Sequence, residues 1–346
     1  MMRGTLFVTI LCLAIVAAPG AAHDRDGQHD FDFLTGTWKI HLKRLVADKW
    51  VEFDGVGLYR QIWDGKANIN EFEADGTGGH IEGLTLRTYD PQTHLWSLYW
   101  ANSREGLLEP AQVGQFTDGR GEFYAQDKID GRPVFVRYVW SKITANSAHF
   151  EQSVSTDGGK TWTANWVSDM TKTADGAFTA PANTAASSDE DGAHGFDAVA
   201  GHWNYHLHRL NQRLVGSNVW TDFYGAGDCF PLWNGRANLD TLVVDSPTGK
   251  IEGLTLRLFD PTVKVWRLYW ANSKDGLIDV PQIGQFHQDH GEFYALDIQN
   301  GYSVLIRFDW TGMKSPSPHF EQAFSIDGGK SWEVNWITDQ TRGAER

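Results

Sequence analysis

Phe31-Asp32-Phe33-Leu34-Thr35-Gly36-Thr37-Trp38-Lys39-Ile40-His41-Leu42-Lys43-Arg44-Leu45 recurs, with changes, as Phe196-Asp197-Ala198-Val199-Ala200-Gly201-His202-Trp203-Asn204-Tyr205-His206-Leu207-His208-Arg209-Leu210, an offset of 165 residues. Further on the offset is 170: Ile-Glu-Gly-Leu-Thr-Leu-Arg starts at Ile81 and Ile251, and Leu-Tyr-Trp-Ala-Asn-Ser at Leu98 and Leu268. Five residues are therefore inserted in the second copy between about Leu210 and Trp220. The 16 tryptophans fall into eight matched pairs, from Trp38 with Trp203 to Trp166 with Trp336. One unit of about 145 residues is written twice, and each copy is long enough to bury a core of its own.

Within a unit the hydrophobic period is two. Stretches 83–89, 95–101, 122–128, 134–140, 149–155 and 161–169 are short and rich in aromatic and β-branched residues. Turn signals separate them: Asp90-Pro91, Asp118-Gly119, Asp130-Gly131 and Asp157-Gly158-Gly159. No stretch of helical length carries an apolar stripe. About ten strands per unit at regular spacing predict an all-β chain, and closure into a barrel is favoured over a sandwich because it leaves no edge.

The opening F-D-F-L-x-G-x-W of Phe31 to Trp38, with the late D-G-G-x-x-W turn at Asp157 to Trp162, resembles the lipocalin-like (calycin) barrels. More closely, it is similar to a bacterial family of lipocalin-like domains of unknown function. The resemblance covers both units and implies two tandem antiparallel lipocalin-like barrels of the ligand-carrier kind. It brings no catalytic residues with it. The second unit departs at Ala198-Val199-Ala200, where the first has Phe33-Leu34-Thr35, so its barrel floor is expected to pack differently.

The remaining segments read as follows: 1–22 a signal peptide, 31–172 the first barrel, 173–194 a flexible linker of small, polar and acidic residues, and 196–342 the second barrel. The leader has a basic start, an apolar run too short to span a bilayer and a small-residue site at Gly20-Ala21-Ala22, so export to the periplasm or the medium is expected. Its cleavage removes Cys12 and leaves Cys229 with no disulfide partner, read as a buried or partly buried thiol. A net charge of −14 disfavours nucleic acid and anionic membranes as partners.

Two motifs invite chemistry. Ser155 to Trp162 and Ser325 to Trp332 fit the S-x-D-x-G-x-T-W box of sialidase propellers, with Ser331 in the Thr place, but a propeller repeats every ~40 to 50 residues and these copies lie 170 apart. Each is read as a structural turn. His206 and His208 share a strand face at a spacing that suits zinc, yet the first unit has His41 and Lys43 there and no third ligand is specified; no metal and no cofactor are expected.

Strand parity gives the candidate site. Positions where the copies exchange polar residues, such as Lys43 with His208 or Ser97 with Arg267, mark outward faces, which turns their neighbours inward. Arg44, Glu82, Trp100, Asn102 and Gln152, repeated as Arg209, Glu252, Trp270, Asn272 and Gln322, are then an inward set in a Trp-rich interior, with Glu82 grouped with Leu84 and Leu86. Either Arg44 and Glu82 pair to close a barrel end, or the set orients a bound molecule. A small, partly apolar ligand is the expected partner. Two alternatives remain: an enzyme, a hydrolase or isomerase, using His149 and Glu151 with their copies His319 and Glu321, and a scaffold with filled barrels. Arg87, Arg137, Arg257 and Arg307 could bind an anionic group, but exposed cross-strand ion pairs account for them as well and are the favoured reading.

Overall fold

The computed structural model describes residues 25–76, 79–129, 131–175, 191–246 and 249–344. The leader and most of the linker lie outside them. The first unit forms β1 (Gly36–Val46), β2 (Lys49–Ile62), β3 (Ala67–Gly76), β4 (Gly79–Asp90), β5 (Leu95–Asn102), β6 (Gln112–Thr117), β7 (Arg120–Ile129), β8 (Arg132–Ser141), β9 (Ser147–Ser155) and β10 (Thr163–Ala174). The second forms β11 (Gly201–Leu210), β12 (Trp220–Leu232), β13 (Ala237–Ser246), β14 (Gly249–Asp260), β15 (Val265–Asn272), β16 (Gln282–His287), β17 (His290–Gln299), β18 (Tyr302–Thr311), β19 (His319–Ser325) and β20 (Glu333–Arg342). Consecutive strands pair antiparallel, and β1 with β10, and β11 with β20, close two ten-stranded barrels in tandem.

Each motif residue of the opening has a mechanical task. The segment before β1 makes a short 3-10 turn, Asp32–Leu34, and Gly36 takes φ 120°, which a side chain would resist. The turn plugs one barrel end: Trp38 Nε1 donates to Leu34 O at 2.6 Å, and Trp96 Nε1 to Gly27 O at 2.9 Å. Phe31 stands edge-on to Trp96, Phe116 and Trp140 and stacks on Phe123. In the second barrel Trp203 Nε1 donates to Val199 O, Trp266 Nε1 to Gly192 O, and Phe196 repeats the aromatic packing. The expected difference in the floor is real. A cation covers the opening tryptophan in both, Lys172 over Trp38 and Arg342 over Trp203, but Phe33 packs on Phe31 and Trp140, whereas at the Ala198 position the Arg342 guanidinium donates to the carbonyls of Ala198 and Ala200.

Alternation sets what points inward, and glycines decide how flat the interior lies. Gly83 and Gly253 face inward beside Trp100 and Trp270, whose rings occupy the space where a Cβ would be. Phe72, Thr85, Arg87, Leu98 and Trp100 therefore share the inward face of the first barrel, and Leu84, Leu86 and Glu82 share the outward one. This corrects the expected parity of that strand. Leu84 and Leu86 are fully buried because the second barrel covers them: Ile62, Trp63, Ala67, Ile69, Leu84, Leu86 and Ala101 form one apolar cluster with Leu232, Trp233, Ala237, Leu239, Leu254, Leu256 and Ala271. Each of these residues faces a surface built from the same positions of the other copy, in the manner of a two-fold homodimer joined into one chain. A strand buried on both faces reads as a continuous apolar run, so alternation alone does not tell its two sides apart.

Candidate functional site

The interface fixes Glu82. Its carboxylate pairs with Arg236 of the second barrel, and Lys66 Nζ lies 3.7 Å from Glu252 Oε2 in the mirrored place. Glu82 is thus not the partner of Arg44, and among the described residues no ion pair of Arg44 with a glutamate closes the barrel end. Arg44 instead lies over the Trp166 ring, 5.6 Å from its centroid, as Arg209 lies over Trp336 at 5.7 Å. Asn102 and Asn272 cap the following turns, Asn102 Oδ1 accepting from the Arg104 and Glu105 amides and Asn272 Oδ1 from the Lys274 amide. Gln152 and Gln322 donate to Asn165 and Asn335 across a strand irregularity.

The inward residues missed from sequence are the two arginines taken as exposed. Arg87 and Arg257 are 3% and 1% exposed, at the centre of each barrel. Arg87 donates from Nη1 to Asn68 Oδ1 and Asn70 Oδ1, each at 2.9 Å, and is surrounded by the rings of Phe31, Tyr59 and Trp140. With amides and aromatic faces but no carboxylate, burial pulls its pKa down to about 10. Arg257 has Asp240 where Arg87 has Asn70: its Nη2 donates to Asp240 Oδ2 at 2.7 Å and its Nη1 to Asn238 Oδ1 at 2.8 Å. There burial opposes the charge, but Asp240 more than offsets it and the pKa rises. Tyr205 OH completes the cluster by donating to Asp240 Oδ1 at 3.1 Å, and burial pushes the adjacent Cys229 thiol up to about 12. The signal was present in the sequence: both copies keep amide or acid residues two apart, Asn68 and Asn70 or Asn238 and Asp240, the first of each pair registering opposite Arg87 or Arg257 and the second opposite Thr85 or Thr255 on the same face.

The two interiors differ in what they enclose. In the first, Phe31, Trp38, Tyr59, Phe72, Trp96, Tyr138 and Met170 belong to one continuous apolar cluster. In the second, the buried apolar residues break into three patches around a cavity of about 540 Å³. Leu207, Leu268, Trp270, Phe308, Phe320 and Trp336 give it apolar walls, and Arg209, Glu252, Trp270, Asn272 and Gln322, all five second-unit candidates, line it. Glu252 does so from the rim, where its Oε2 accepts from Ser273 Oγ at 2.9 Å. Deeper in lie Asp240, Thr255, Arg257, Gln282 and Gln340, and burial raises Asp279 in its wall to about 6.

The inserted residues of the second copy carry Arg213 to this cavity. The Leu214 amide donates to both oxygens of Glu333, at 2.8 and 3.1 Å, and Asn300 Nδ2 donates to Arg213 O, which holds the loop against the start of β20 and the turn between β17 and β18. The Arg213 guanidinium lies over Phe324, its Nε is buried without a hydrogen-bond partner, and its pKa is pulled down to about 10, by burial first and by Arg209 second. Among the described residues neither Arg209 nor Arg213 forms an ion pair. A further cleft of about 610 Å³ runs over the hairpin of β7 and β8 beside the Ser155 to Gly158 turn and is open to solvent.

His149 and Glu151 lie on the outer face. His149 Nδ1 meets Asp169 Oδ1 at 2.7 Å, and Glu151 accepts from Ser153 Oγ at 2.6 Å; neither lines a cavity. His319 pairs in the same way with Asp339 and stands 3.3 Å from Glu321. Arg137 is half-buried on that face, 4.0 Å from Glu151 and over Trp162, as Arg307 is over Trp332. The Asp157 box is a turn: Oδ1 accepts from the Lys160 and Thr161 amides and Oδ2 from Thr161 Oγ1 at 2.7 Å.

No family model and no curated protein matches the chain. Among solved structures, an S-type phycobiliprotein lyase from Guillardia theta is similar over 44% of this chain and 94% of its own, at 12% identity and TM-score 0.32. A protein of unknown function of the DUF3598 family from Nostoc punctiforme is similar over 92% of this chain and 100% of its own, at 9% identity and TM-score 0.25. What the fold itself defines is a chain of two tandem ten-stranded closed antiparallel barrels.

Proposed function

We propose that this is an exported carrier that holds a small, mainly apolar molecule bearing an acidic group inside its second barrel. The observation that carries this reading is the contrast within one chain: a unit with the same strand order is filled by side chains in its first copy and encloses about 540 Å³ in its second. That volume falls within the ~300 to 1,000 Å³ of small-molecule pockets, and mostly apolar walls with a few convergent polar groups are their usual lining. Two guanidinium groups without ion pairs at one side, Arg209 and Arg213, favour a ligand with a carboxylate or sulfonate. Export rests on the apolar leader and its small-residue cleavage site.

The test is binding of 8-anilinonaphthalene-1-sulfonate, an apolar ring system with one sulfonate, followed by its fluorescence, together with native mass spectrometry of protein isolated from its own host. Saturable binding that falls in the Arg213→Ala chain, or a retained small-molecule mass, supports the carrier. Absence of both, with the second barrel folded, overturns it.

A further inference from the structure

On the outer face of the second barrel, remote from the cavity in function, the strand neighbours of β11 supply what the sequence alone did not: more ligands for the pair at His206 and His208. We propose that His206, His208, Asp222 and Asp339 form a binding site for a first-row divalent transition metal such as zinc. The two histidines stand two apart on β11 and point the same way. Asp222 on β12 registers directly opposite His208, and Asp339 on β20 directly opposite His206. One imidazole-rich strand is thus flanked by a carboxylate on each side.

The donor atoms converge in two overlapping sets that share both histidines. His208 Nδ1 is 2.6 Å and His206 Nε2 3.0 Å from Asp222 Oδ1, and one donor atom each of His206, His208 and Asp339 lie within 4.8 Å of one another. Ligands about 2.0 to 2.2 Å from a tetrahedral zinc ion are roughly 3.3 Å apart, so a small rotation about the side-chain torsions encloses the ion. Two imidazoles and two carboxylates suit zinc, nickel or copper rather than calcium or magnesium, which prefer all-oxygen shells. The supporting groups are in place: Tyr224 stacks on His206 at 4.6 Å and 3°, and His319 Nδ1 holds Asp339 at 2.7 Å. All four ligands are half-exposed or exposed, so the ion enters from solvent.

The first barrel shows why the arrangement is more than a row of ion pairs. Its equivalent face has His41, Glu52 and Asp169, but Lys43 takes the place of His208 and its ammonium bonds Glu52 Oε1 at 2.7 Å. A fixed positive charge sits where the metal would go. The second barrel has an imidazole in place of that ammonium and keeps acids around it. A different cluster, His290, Glu292 and Asp309, has only one imidazole, and Arg307 lies 3.9 Å from Asp309.

Cobalt(II) is the probe, added to the full chain and followed by its visible d–d absorption, with zinc competition against a chromophoric chelator. The wild type is expected to bind cobalt in a low-coordinate site that zinc displaces. His208→Lys, which installs the first barrel's residue, is expected to weaken uptake at least about tenfold, and His208→Gln likewise, while His290→Ala leaves it unchanged. Circular dichroism verifies that each variant keeps its strands. No uptake by the wild type, uptake by either His208 variant as tight as that of the wild type, or loss of uptake with His290→Ala overturns the proposal.

Discussion

The two barrels share a strand order and differ inside by a handful of exchanges that are coordinated in space. Gly57 in the first and Gly227 in the second each leave room for a phenol ring. In the first that ring is Tyr59, from β2 itself; in the second it is Tyr205, from β11, while the Tyr59 position has become Cys229. The move carries the hydroxyl to Asp240, which replaces Asn70, and so turns a buried arginine held by two amides into one held by an amide and a carboxylate that the phenol in turn supports. Barrel closure, then, does not dictate the interior. The same frame carries a solid aromatic core in one copy and, in the other, a cavity with a carboxylate-paired arginine buried in its lining.

Breaking the charge balance of the second barrel has the largest expected effect. Asp240→Ala leaves Arg257 buried without its carboxylate and is expected to lower stability by about 3 to 5 kcal/mol, read by denaturant unfolding. Asp240→Asn, which restores the first barrel's arrangement, is expected to cost less than half of that. An equal loss for both would mean that the carboxylate's charge, not merely a hydrogen-bond acceptor, is what Arg257 requires.

The cavity can be sharpened in the same way. Leu242→Phe with Gln340→Met places first-barrel residues, those at Phe72 and Met170, in the second interior, and anilinonaphthalene sulfonate binding is expected to drop about tenfold. Unchanged affinity would place the probe outside the barrel.

Cys229 offers a smaller test of packing. Its thiol is fully buried and pushed up to about 12 by that burial, so a maleimide is expected to leave it unlabelled in the folded chain and to react once the chain is unfolded. Rapid labelling under native conditions would mean that the second barrel opens locally.

The smallest effect concerns the paired turns, where the barrels agree. Amide and hydroxyl hydrogen bonds hold Asp157 and Asp327 at about 2, below the ordinary 3.8, Thr161 contributing most to the first and Ser331 to the second. A carboxyl whose pKa is lower in the folded state stabilises fully above the unfolded value and loses its contribution as pH falls. Acid titration of wild type is therefore expected to show a loss of stability between about pH 4 and 2 that Asp157→Asn and Asp327→Asn each reduce by a similar amount. Unequal reductions would show that the two turns are not equivalent.

Much of this architecture was legible before any coordinates. Matched tryptophans, period-two alternation and regular turns dictate two all-β units, because alternation is the backbone geometry of a strand seen from one side. Parity also brought Arg209, Trp270, Asn272 and Gln322 to one interior. It failed at β4, where Leu84 and Leu86 are buried by the neighbouring barrel, and so it misplaced Glu82 and left Arg87 outside. A burial pattern records that a side is dry, and it does not record what keeps it dry. Only tertiary structure decided that β3, β4 and β5 meet their own copies, that Arg213 reaches a cavity on an inserted loop, and that Asp222 and Asp339 flank two histidines from strands far apart in the chain. These are long-range juxtapositions set by sheet register and by packing between barrels, and neither is encoded in the local order of residues.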